Sequence, residues 1–360
     1  MKITFVIANP NMSGGVRVCA IYAQKFKELG HEVNIVAPKK RFLSVRKQVK
    51  RMVSGGLFLS KKSQMKNHFS LMGLDVTYAN SFSPLASKDI PDADVVIATW
   101  WETAEWVNSF SENKGEKVYF IQGHEVYDYL PVHRVRATYR LPFYKITIAS
   151  WLMKLMQTEY DSDKPFLVPN SVSHELFYAS VRGKQDVPTI GFLFSENEFK
   201  GVGVALNVIA NLKNKLPELR VIAFGAKPPA IINLPEYVEL SVSPNQDQIR
   251  FLYMQCDVWL CCSLVEGFGL TILEAMACRT PVVSTKCGGP EDIVVDGHNG
   301  YLCEVNDVDL LVEASYGILN SSEGKWGAFS INAYNHAVDY TWDDAAISFS
   351  GFLQSIITDD

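Results

Sequence analysis

Long apolar runs are missing from this sequence. No stretch approaches the ~18 uninterrupted apolar residues that a membrane-spanning helix needs, so we expect no such span. The opening segment Met1–Ala8 is too short for a secretory signal, and we interpret it as a first buried strand. Internal repeats and low-complexity tracts are missing as well, which excludes repeat and compositionally biased architectures.

Cysteines in metal-binding spacing are also missing. The chain has seven cysteines, an odd number, and the short paired spacings of zinc sites do not occur among them. Two of them, Cys261 and Cys262, are adjacent within a predicted strand. Reduced thiols in the core of a cytoplasmic protein fit this usage, and we expect these cysteines to bind no metal.

Two folded units fit the length and composition of the chain. At 360 residues it is long for one hydrophobic core, and 48% apolar with 20% charged residues indicate a folded protein. Positively and negatively charged residues are distributed unevenly between the two halves of the chain. Residues 1–170 carry 23 Lys/Arg against 15 Asp/Glu, a net +8, and the remainder carries 11 against 24, a net −13, which sum to −5. The difference in sign suggests two units with different partners.

Short apolar runs alternate with helical patterns in both halves, which predicts α/β units with mainly parallel sheets. The first half should contain a helix over about 15–29 and strands near 3–8, 32–37, 76–78, 95–99, 117–122 and 145–149. A further strand that begins at Phe166 is expected to run into the linker between the halves. The second half should contain strands near 189–194, 219–224, 258–262 and 281–284. The predicted domains are 1–172 and 173–341, and a last helix over 342–360 is expected to return to the first domain.

The most informative stretch runs from Ser263 to Ala277 and places two carboxylates, Glu266 and Glu274, around a glycine-containing turn. A buried strand is predicted to end before it, and an amphipathic helical pattern begins at Leu270. The free N–H groups and the dipole of a helix start favour a phosphate. Glu274 lies roughly 6 Å into the helix at ~1.5 Å per residue, where it could accept hydrogen bonds from a ribose. Glu266 would face the other end of a diphosphate, so a nucleoside-diphosphate sugar suits this geometry.

This stretch closely resembles retaining glycosyltransferases of family 4, which have the GT-B fold. Glu266 to Glu274 matches their E-x7-E motif, and the surrounding sequence follows their pattern: EGFGLTILEAMACRTPVVSTKCGGPEDIVVDGHNGYL. The resemblance implies two Rossmann-like parallel-sheet domains facing a central cleft. It also implies that Glu266 binds the donor sugar and that Glu274 binds the ribose. The turn that it assigns to the donor comprises Gly267, Phe268, Gly269, Leu270 and Thr271. The alternative is a solvated Glu266 and an exposed Glu274 without such roles.

Two segments of the first half also resemble parts of that family's site. Gly14 and Gly15 follow the first strand without the G-x-G-x-x-G dinucleotide pattern, and the resemblance assigns them to the donor phosphates or the acceptor. A plain tight turn is the alternative. His124 follows a predicted strand, and it could bind a sugar hydroxyl or stabilise charge at the reacting centre. A structural histidine is the alternative there, and Glu125 is expected to be solvated.

Lys200 and Gly201 resemble the Lys-Gly pair of the family. The resemblance implies that Lys200 neutralises charge on the leaving nucleoside diphosphate, whereas an ordinary surface lysine is the alternative. The family's arginine, which follows the glycine matching Gly191, is missing, because Phe192 and Leu193 stand there. The second cation of the diphosphate site is therefore unassigned.

The reaction implied is retaining, metal-independent transfer of a sugar from a nucleoside diphosphate to a glycan or lipid-linked acceptor. The setting implied is the synthesis of bacterial surface polysaccharide or lipopolysaccharide. No cofactor other than the donor is implied, since the family lacks a DxD metal site and Asp92-Ala-Asp94 begins a buried strand. Two other functions stay open: a sugar-nucleotide epimerase with the GT-B fold, and a non-catalytic nucleotide-binding partner subunit of another glycosyltransferase.

A basic segment lies between Lys39 and Lys66, with ten Lys/Arg and no Asp/Glu. Apolar residues recur in it at helical spacing: Phe42, Val45, Val49 and Met52. A basic amphipathic helix is typical of contact with anionic lipids, which would hold a cytoplasmic protein peripherally on the inner face of the cell membrane. An ordinary helix packed on the core is the alternative. Nucleic acid is not an expected partner, because the pI is near 5.9 and no recognition motif accompanies the segment.

Overall fold

A computed structural model describes residues 1–40, 42, 46, 49, 52 and 66–358. The chain divides into two compact units. Unit 1 comprises Met1–Ile148, Leu152–Val168 and Trp342–Asp360, and unit 2 comprises Ala149–Trp151 and Pro169–Thr341. Most of the basic segment lies outside the described residues, so its predicted contact with lipid stays a prediction.

Unit 1 is built on a seven-stranded sheet in which all neighbouring strands are parallel. Its strands are β1 (Lys2–Val6), β2 (Glu32–Ala37), β3 (Thr77–Tyr78), β4 (Val95–Ala98), β5 (Glu116–Ile121), β6 (Tyr144–Thr147) and β7 (Phe166–Leu167). The spatial order is β3-β2-β1-β4-β5-β6-β7. The order therefore reverses at β1, which has β2 on one side and β4 on the other.

Helices connect these strands, as parallel pairing requires. Over residues 1–40 and 66–168 they are α1 (Gly14–Glu28), α2 (His68–Leu71), α3 (Trp101–Asn108), α4 (Val132–Thr138) and α5 (Ser150–Glu159). Helix α1 buries an apolar face that includes Val18, Tyr22 and Phe26. Leu29 caps its C-terminal end, and Gly30 follows with a φ of +85°, the left-handed conformation expected after a helix.

Unit 2 is built on a six-stranded sheet that is also fully parallel, in the order β10-β9-β8-β11-β12-β13. Its strands are β8 (Thr189–Leu193), β9 (Arg220–Gly225), β10 (Val238–Val242), β11 (Val258–Cys261), β12 (Val282–Thr285) and β13 (Gly300–Cys303). Its helices are α6 (Val202–Lys215), α7 (Gln246–Met254), α8 (Leu270–Ala277), α9 (Pro290–Ile293), α10 (Val308–Leu319) and α11 (Glu323–Val338). The strand order reverses at β8, between β9 and β11.

The last helix, α12 (Trp342–Thr358), belongs to unit 1. Aromatic contacts hold it against α1: the ring centroids of Tyr22 and Trp342 lie 5.5 Å apart, and those of Phe26 and Phe349 lie 5.2 Å apart. A ring nitrogen of His31, Nε2, lies 2.7 Å from Ser350 Oγ. Edge-to-face aromatic packing of this kind adds to the stability gained from apolar burial, so α12 forms part of the unit 1 core.

The prediction of two α/β units with parallel sheets is confirmed. Two strands were missed, one at each edge of the unit 2 sheet. Strand β10 alternates apolar and polar residues, which is the signal of a half-buried edge strand and could have been recognised. Strand β13 has four residues and begins with a glycine, so its sequence signal is weak.

All seven cysteines are buried and free. Across residues 1–40 and 66–358, we find no cluster of three or more His, Cys, Asp or Glu side chains arranged to hold a metal ion. In the same part of the chain, none of the helices combines the length and the apolar character needed to cross a bilayer.

Candidate functional site

Two loops meet at the point where the strand order of unit 2 reverses. One follows β8 and ends in the short helix Glu198–Lys200, and the other follows β11 and leads to α8. The backbone N–H of Leu264 donates to the carbonyl of Phe199 at 2.8 Å, which joins the loops directly. Ligands of open α/β sheets bind outside the carboxyl ends of strands at such a reversal, so this position is the expected place for a site.

Gly201 makes the close approach of these loops possible. Its φ is +61°, in the left-handed region, and it begins α6. A Cβ at this position would overlap the carbonyl oxygen of Cys262 on the other loop. The glycine after Lys200 is therefore required by both the backbone conformation and the contact.

Lys200 and Glu266 form an ion pair at this junction. Lys200 Nζ lies 2.6 Å from Glu266 Oε1, and 22% and 12% of the two side chains are exposed. Ser263 Oγ donates to the same carboxylate oxygen at 2.7 Å. Burial by itself lowers the pKa of Lys200, but the charge and the hydrogen bond of Glu266 outweigh it, so the pKa of Lys200 lies above its usual value. The result is a charged, half-enclosed pair that an incoming ligand can contact.

Backbone hydrogen bonds hold Glu266 in place. Its N–H donates to the carbonyl of Cys287 at 2.7 Å, and its carbonyl accepts from Gly289 N–H at 3.1 Å. A Cβ on Gly289 would overlap the backbone of Phe268, so the chain after β12 packs closely against the turn that carries Glu266. The carboxylate is therefore presented by a rigid turn.

The turn leads into α8, which begins after Gly269 in a left-handed conformation at φ +99°. The N–H groups of Ile272 and Leu273 bond to the carbonyl of Gly269 at 2.9 and 3.3 Å. The N–H groups of the preceding helical residues, Leu270 and Thr271, come too early in the helix for an intrahelical acceptor and can bind an anion.

Two residues of the predicted motif lie deeper than expected. The ring of Phe268 is buried, with its centroid 6.1 Å from that of Tyr340, so only its backbone remains for a ligand. Glu274 is 3% exposed, and its Oε2 accepts a hydrogen bond from Tyr253 Oη at 3.0 Å. Six of the eight residues of α8 are buried, so the expected amphipathic pattern is wrong for this helix. Glu274 therefore faces the interior of unit 2.

In unit 1, the structure brings the glycine loop and the loop after β5 together. Gln122 Nε2 donates to the carbonyl of Gly15 at 3.2 Å. A Cβ on Gly15 would touch the Gln122 amide, whereas one on Gly14 would meet open space. The pairing of these loops follows from the parallel sheet, because the segments after β1 and β5 leave from the same edge.

His124 lies in an aromatic pocket of unit 1. Its Nε2 is 2.7 Å from Tyr160 Oη, and its ring centroid is 5.6 Å from that of Tyr139. Burial lowers the pKa of His124, and the nearby charge of Arg136 lowers it further. The imidazole is therefore neutral near pH 7 and suited to hydrogen bonding rather than to carrying charge.

The expectation of a solvated Glu125 is wrong. Glu125 is 5% exposed, and its Oε2 accepts from the backbone N–H of Trp101 at 3.0 Å. Burial raises the pKa of this carboxyl well above its usual range.

The two carboxylates of Asp92-Ala-Asp94 bind other groups of unit 1. Asp92 forms an ion pair with Lys114 at 2.6 Å, and Asp94 accepts a hydrogen bond from the backbone N–H of Lys2 at 2.6 Å.

Sequence reasoning missed two side chains of the unit 2 site, Ser263 and Tyr253. Ser263 lies two positions beyond the end of β11 and precedes Glu266 by three residues, a spacing that could have indicated a hydrogen bond across the turn. Tyr253 gave no signal, because its bond to Glu274 spans 21 positions. Phe192, which stands where an arginine was expected, is 1% exposed and belongs to the core of unit 2.

One comparison with known proteins, that with a family model, concerns this same region. Residues 179–336 match the model of a family described as glycosyl transferases group 1. This segment of the chain carries that family's sequence pattern. A D-inositol 3-phosphate glycosyltransferase of Corynebacterium diphtheriae is 31% identical over 171 residues, which cover 44% of this chain and 40% of that protein. The chain spans about half or less of the length of the curated relatives it matches.

Solved structures share the whole fold. A sucrose-phosphate synthase from Thermosynechococcus elongatus superposes with a TM-score of 0.77 at 14% identity and covers 100% of both chains. The Anabaena protein HepE, in complex with UDP and glucose, superposes with a TM-score of 0.71 at 16% identity over 99% of this chain and 100% of its own. With the two parallel sheets, these similarities show that the chain has the GT-B fold.

Proposed function

We propose that this protein is a retaining glycosyltransferase of family 4 that takes a sugar from a nucleoside diphosphate and transfers it to a glycan or lipid-linked acceptor. The Lys200–Glu266 ion pair, 2.6 Å apart beside the start of α8, carries the proposal. The pair puts a cation and a carboxylate next to N–H groups that can bind an anion, at the point where the strand order of unit 2 reverses. The family pattern over residues 179–336 supports the same assignment.

Each component of the unit 2 site has a role in this proposal. Lys200 neutralises the charge that develops on the leaving diphosphate, together with the N–H groups of Leu270 and Thr271. When the donor binds, the Glu266 carboxylate gives up its hydrogen bonds from Lys200 and Ser263. It accepts hydrogen bonds from hydroxyls of the donor sugar instead. The bond from the sugar carbon to the β-phosphate oxygen breaks, a bond to the acceptor oxygen forms on the same face, and the acceptor's proton passes to a phosphate oxygen.

Glu274 has a less direct place in the proposal. Its carboxylate already accepts a hydrogen bond from Tyr253. To bind a ribose, the same carboxylate must accept a second hydrogen bond from a ribose hydroxyl. An acceptor carboxylate has about four lone-pair sites, which allows both bonds. In unit 1, Gly14, Gly15 and His124 stay candidates for substrate binding. Metal independence, a role in surface polysaccharide synthesis and the lipid contact of the basic segment are further parts of the proposal.

Thermal unfolding of the full chain with UDP, GDP, ADP and CDP tests the donor site. A ligand present at 100 times its Kd stabilises the folded state by about 2.7 kcal/mol, enough to raise Tm by several degrees. One of the four should do so in the wild type and much less in Lys200→Met. Lys286→Met is the matched control, because Lys286 pairs with Glu304 at the same 2.6 Å but is exposed. Equal loss in both variants, or no shift with any nucleotide, contradicts the site.

Incubation with sugar donors of the nucleotide so identified then tests the reaction. Transfer to an acceptor with an unchanged anomeric configuration, seen by proton NMR and unaffected by EDTA, is the expected result. Consumption of the donor without an acceptor, giving an epimeric sugar, indicates an epimerase. Binding without turnover indicates a non-catalytic partner subunit, which the replacement of the family's arginine by Phe192 favours.

A further inference from the structure

Tyr160 forms the hydrogen bond that holds the His124 ring. It directly follows α5 and is 3% exposed, and its Oη lies 2.7 Å from Nε2 of His124. In the part of the chain that the structure describes, neither of these two atoms has a second hydrogen-bond partner. The direction of this one bond therefore decides which nitrogen of the imidazole carries the proton.

Two contacts fix the phenol ring of Tyr160. Its centroid lies 4.9 Å from that of Tyr139, and the guanidinium carbon of Arg140 lies 4.9 Å from it. Arg140 is held in turn, because its Nη2 donates to the carbonyl of Glu159 at 2.8 Å. A ring that contacts both an aromatic side chain and a cation has little freedom to move, so the hydroxyl keeps its place beside the imidazole.

Tyr139 fixes the backbone on both sides of His124. Its Oη accepts a hydrogen bond from the N–H of Glu125 at 2.9 Å and donates to the carbonyl of Gly123 at 3.3 Å. The ring of Tyr139 stacks on that of Tyr119, with centroids 5.7 Å apart and an angle of 10° between the planes. Since the loop and the phenol are both held, the imidazole keeps Nε2 toward the phenol.

The hydrogen bond runs from the phenol to the imidazole. A phenol has one proton to donate, and a neutral imidazole has one N–H and one nitrogen that accepts. If Nε2 donated to Oη, the proton of the buried Tyr160 hydroxyl would have no acceptor among the described residues, and an unsatisfied buried donor is costly. If Oη donates to Nε2, both groups are satisfied. Burial supports this arrangement, because it lowers the pKa of His124 and raises the pKa of Tyr160, which keeps the ring neutral and the phenol protonated.

The proton of the His124 ring therefore lies on Nδ1, which is the nitrogen that a ligand can contact. His124 is half-buried, and among the described residues Nδ1 has no hydrogen-bond partner and is not enclosed. The loop that carries His124 also contacts the glycine loop, through the 3.2 Å hydrogen bond from Gln122 to the carbonyl of Gly15. An accessible N–H donor thus lies in a loop that contacts a second candidate segment for substrate binding.

We infer that Tyr160 is a positioning residue that holds the proton of His124 on Nδ1, so that His124 binds a sugar hydroxyl by donating a hydrogen bond to its oxygen. A nitrogen that carries a proton cannot take another, and the lone pair of Nε2 already accepts from Tyr160. His124 is therefore not the base that removes the proton of the acceptor hydroxyl, which agrees with transfer of that proton to a phosphate oxygen. The tautomer is independent of the proposed function, whereas the contact with a sugar rests on it.

Nitrogen NMR of the full chain at about pH 8, where an unperturbed histidine is neutral, tests the tautomer. The protonated and the bare ring nitrogen of a neutral imidazole differ widely in 15N chemical shift. The signals of His124 among the seven histidines are those lost in His124→Gln. The wild type should show a proton on Nδ1. A proton on Nε2, or protons on both nitrogens, overturns the inference.

Two phenylalanine variants test whether Tyr160 sets the tautomer. Tyr160→Phe keeps the ring and its packing but removes the hydroxyl, so the Nδ1–H form should lose its dominance and the two 15N shifts should move toward each other. Tyr119→Phe is the matched control, because it removes a buried hydroxyl from the same aromatic cluster and leaves the bond between Tyr160 and His124 in place. It should keep the wild-type spectrum. An unchanged spectrum in Tyr160→Phe, or an equal change in both variants, overturns the role of Tyr160.

The kinetics of sugar transfer test the contact with the substrate. Tyr160→Phe should lower kcat/KM by about three- to tenfold, the usual contribution of one hydrogen bond, and should change the affinity for the nucleoside diphosphate by less than about twofold. His124→Asn should retain at least about three times the kcat/KM of His124→Gln, because the asparagine amide takes the place of Nδ1 and the glutamine amide that of Nε2.

Equal losses in the two His124 variants, or a loss of nucleotide affinity that matches the loss of kcat/KM, overturn the contact with a sugar hydroxyl. If the wild type itself transfers no sugar, the proposed function fails, while the tautomer measured by NMR still stands.

Discussion

Lys200 Nζ lies 2.6 Å from Glu266 Oε1, and the two residues are 66 positions apart in the chain. Each belongs to a loop at the carboxyl end of a parallel strand, and the strands β8 and β11 are neighbours in the sheet. The ion pair is partly enclosed, so removing one partner leaves the other with a desolvation penalty that an exposed pair would not have. This relationship makes the pair the first target for substitution.

Replacement of Lys200 by Met should weaken nucleoside diphosphate binding by about 10- to 100-fold, because a hydrogen bond to a charged group contributes roughly 1.5–3 kcal/mol. Glu266→Gln should keep most of the nucleotide affinity and lose most of the turnover, since Glu266 is assigned to the sugar. Isothermal titration and a transfer assay measure the two effects. Glu304→Gln is the control for charge removal at an exposed pair. A Glu266→Gln variant with full turnover contradicts the assignment.

Substitution of Glu274 separates a binding role from a structural one. Glu274→Ala removes the acceptor of Tyr253 from a buried position and should lower the free energy of unfolding by about 1–3 kcal/mol as well as abolish donor binding. Glu274→Gln keeps an acceptor for Tyr253 and should fold with little loss of stability. If Glu274 binds ribose, this variant weakens the binding of the nucleoside diphosphate but not of pyrophosphate. Equal weakening of both, or of neither, points to a purely structural carboxylate.

Gly201→Ala should destabilise the protein by at least about 2 kcal/mol, because the residue has φ +61° and its Cβ would overlap the carbonyl of Cys262. Gly203→Ala is the matched control two residues later. Its Cβ meets no atom within 4 Å, and it lies in α6, where alanine is favoured over glycine by up to about 1 kcal/mol. Denaturant unfolding measures both. A Gly201→Ala variant as stable as wild type would show that the two loops do not meet in this way.

His124 contributes to the dependence of stability on pH. Its pKa in the folded protein lies below the unfolded value near 6.5 because burial disfavours the charged form. The unfolded chain therefore binds a proton first as the pH falls, and stability is lost from about pH 6.5 downward through the folded pKa. Burial also lowers the pKa of His31, His68 and His336, so they add to the same trend.

His124→Gln should therefore reduce, without removing, the fall in Tm between pH 7.5 and pH 5. Glutamine keeps a polar group near Tyr160 and does not titrate. Tm measured across that pH range in the wild type and the variant is the test. An unchanged slope means that the His124 environment does not favour the neutral form.

The places of several candidate site residues in the fold were predictable, because these residues lie within short segments of the chain. The turn Gly267–Thr271, the helix after it and the Lys200–Gly201 pair each occupy a short segment, and strand and helix signals placed them at the carboxyl ends of strands. The strands β10 and β13 were missed because edge strands are short and bury less apolar surface. Glu125 was misjudged because its burial depends on the helix and the aromatic side chains packed around it, which the local sequence does not show.

The sequence by itself determines that the chain forms two α/β units with parallel sheets. Apolar strands alternate with amphipathic helical segments in both halves, and strands buried between helices require this local pattern. The sequence around Glu266 and Glu274 likewise places the first carboxylate on the turn before a helix and the second about one turn inside that helix. Contacts between distant segments are a different matter: Lys200 with Glu266, and Glu274 with Tyr253. They arise because strands remote in the chain become neighbours in one sheet, and that pairing depends on the packing of the whole unit rather than on any local pattern.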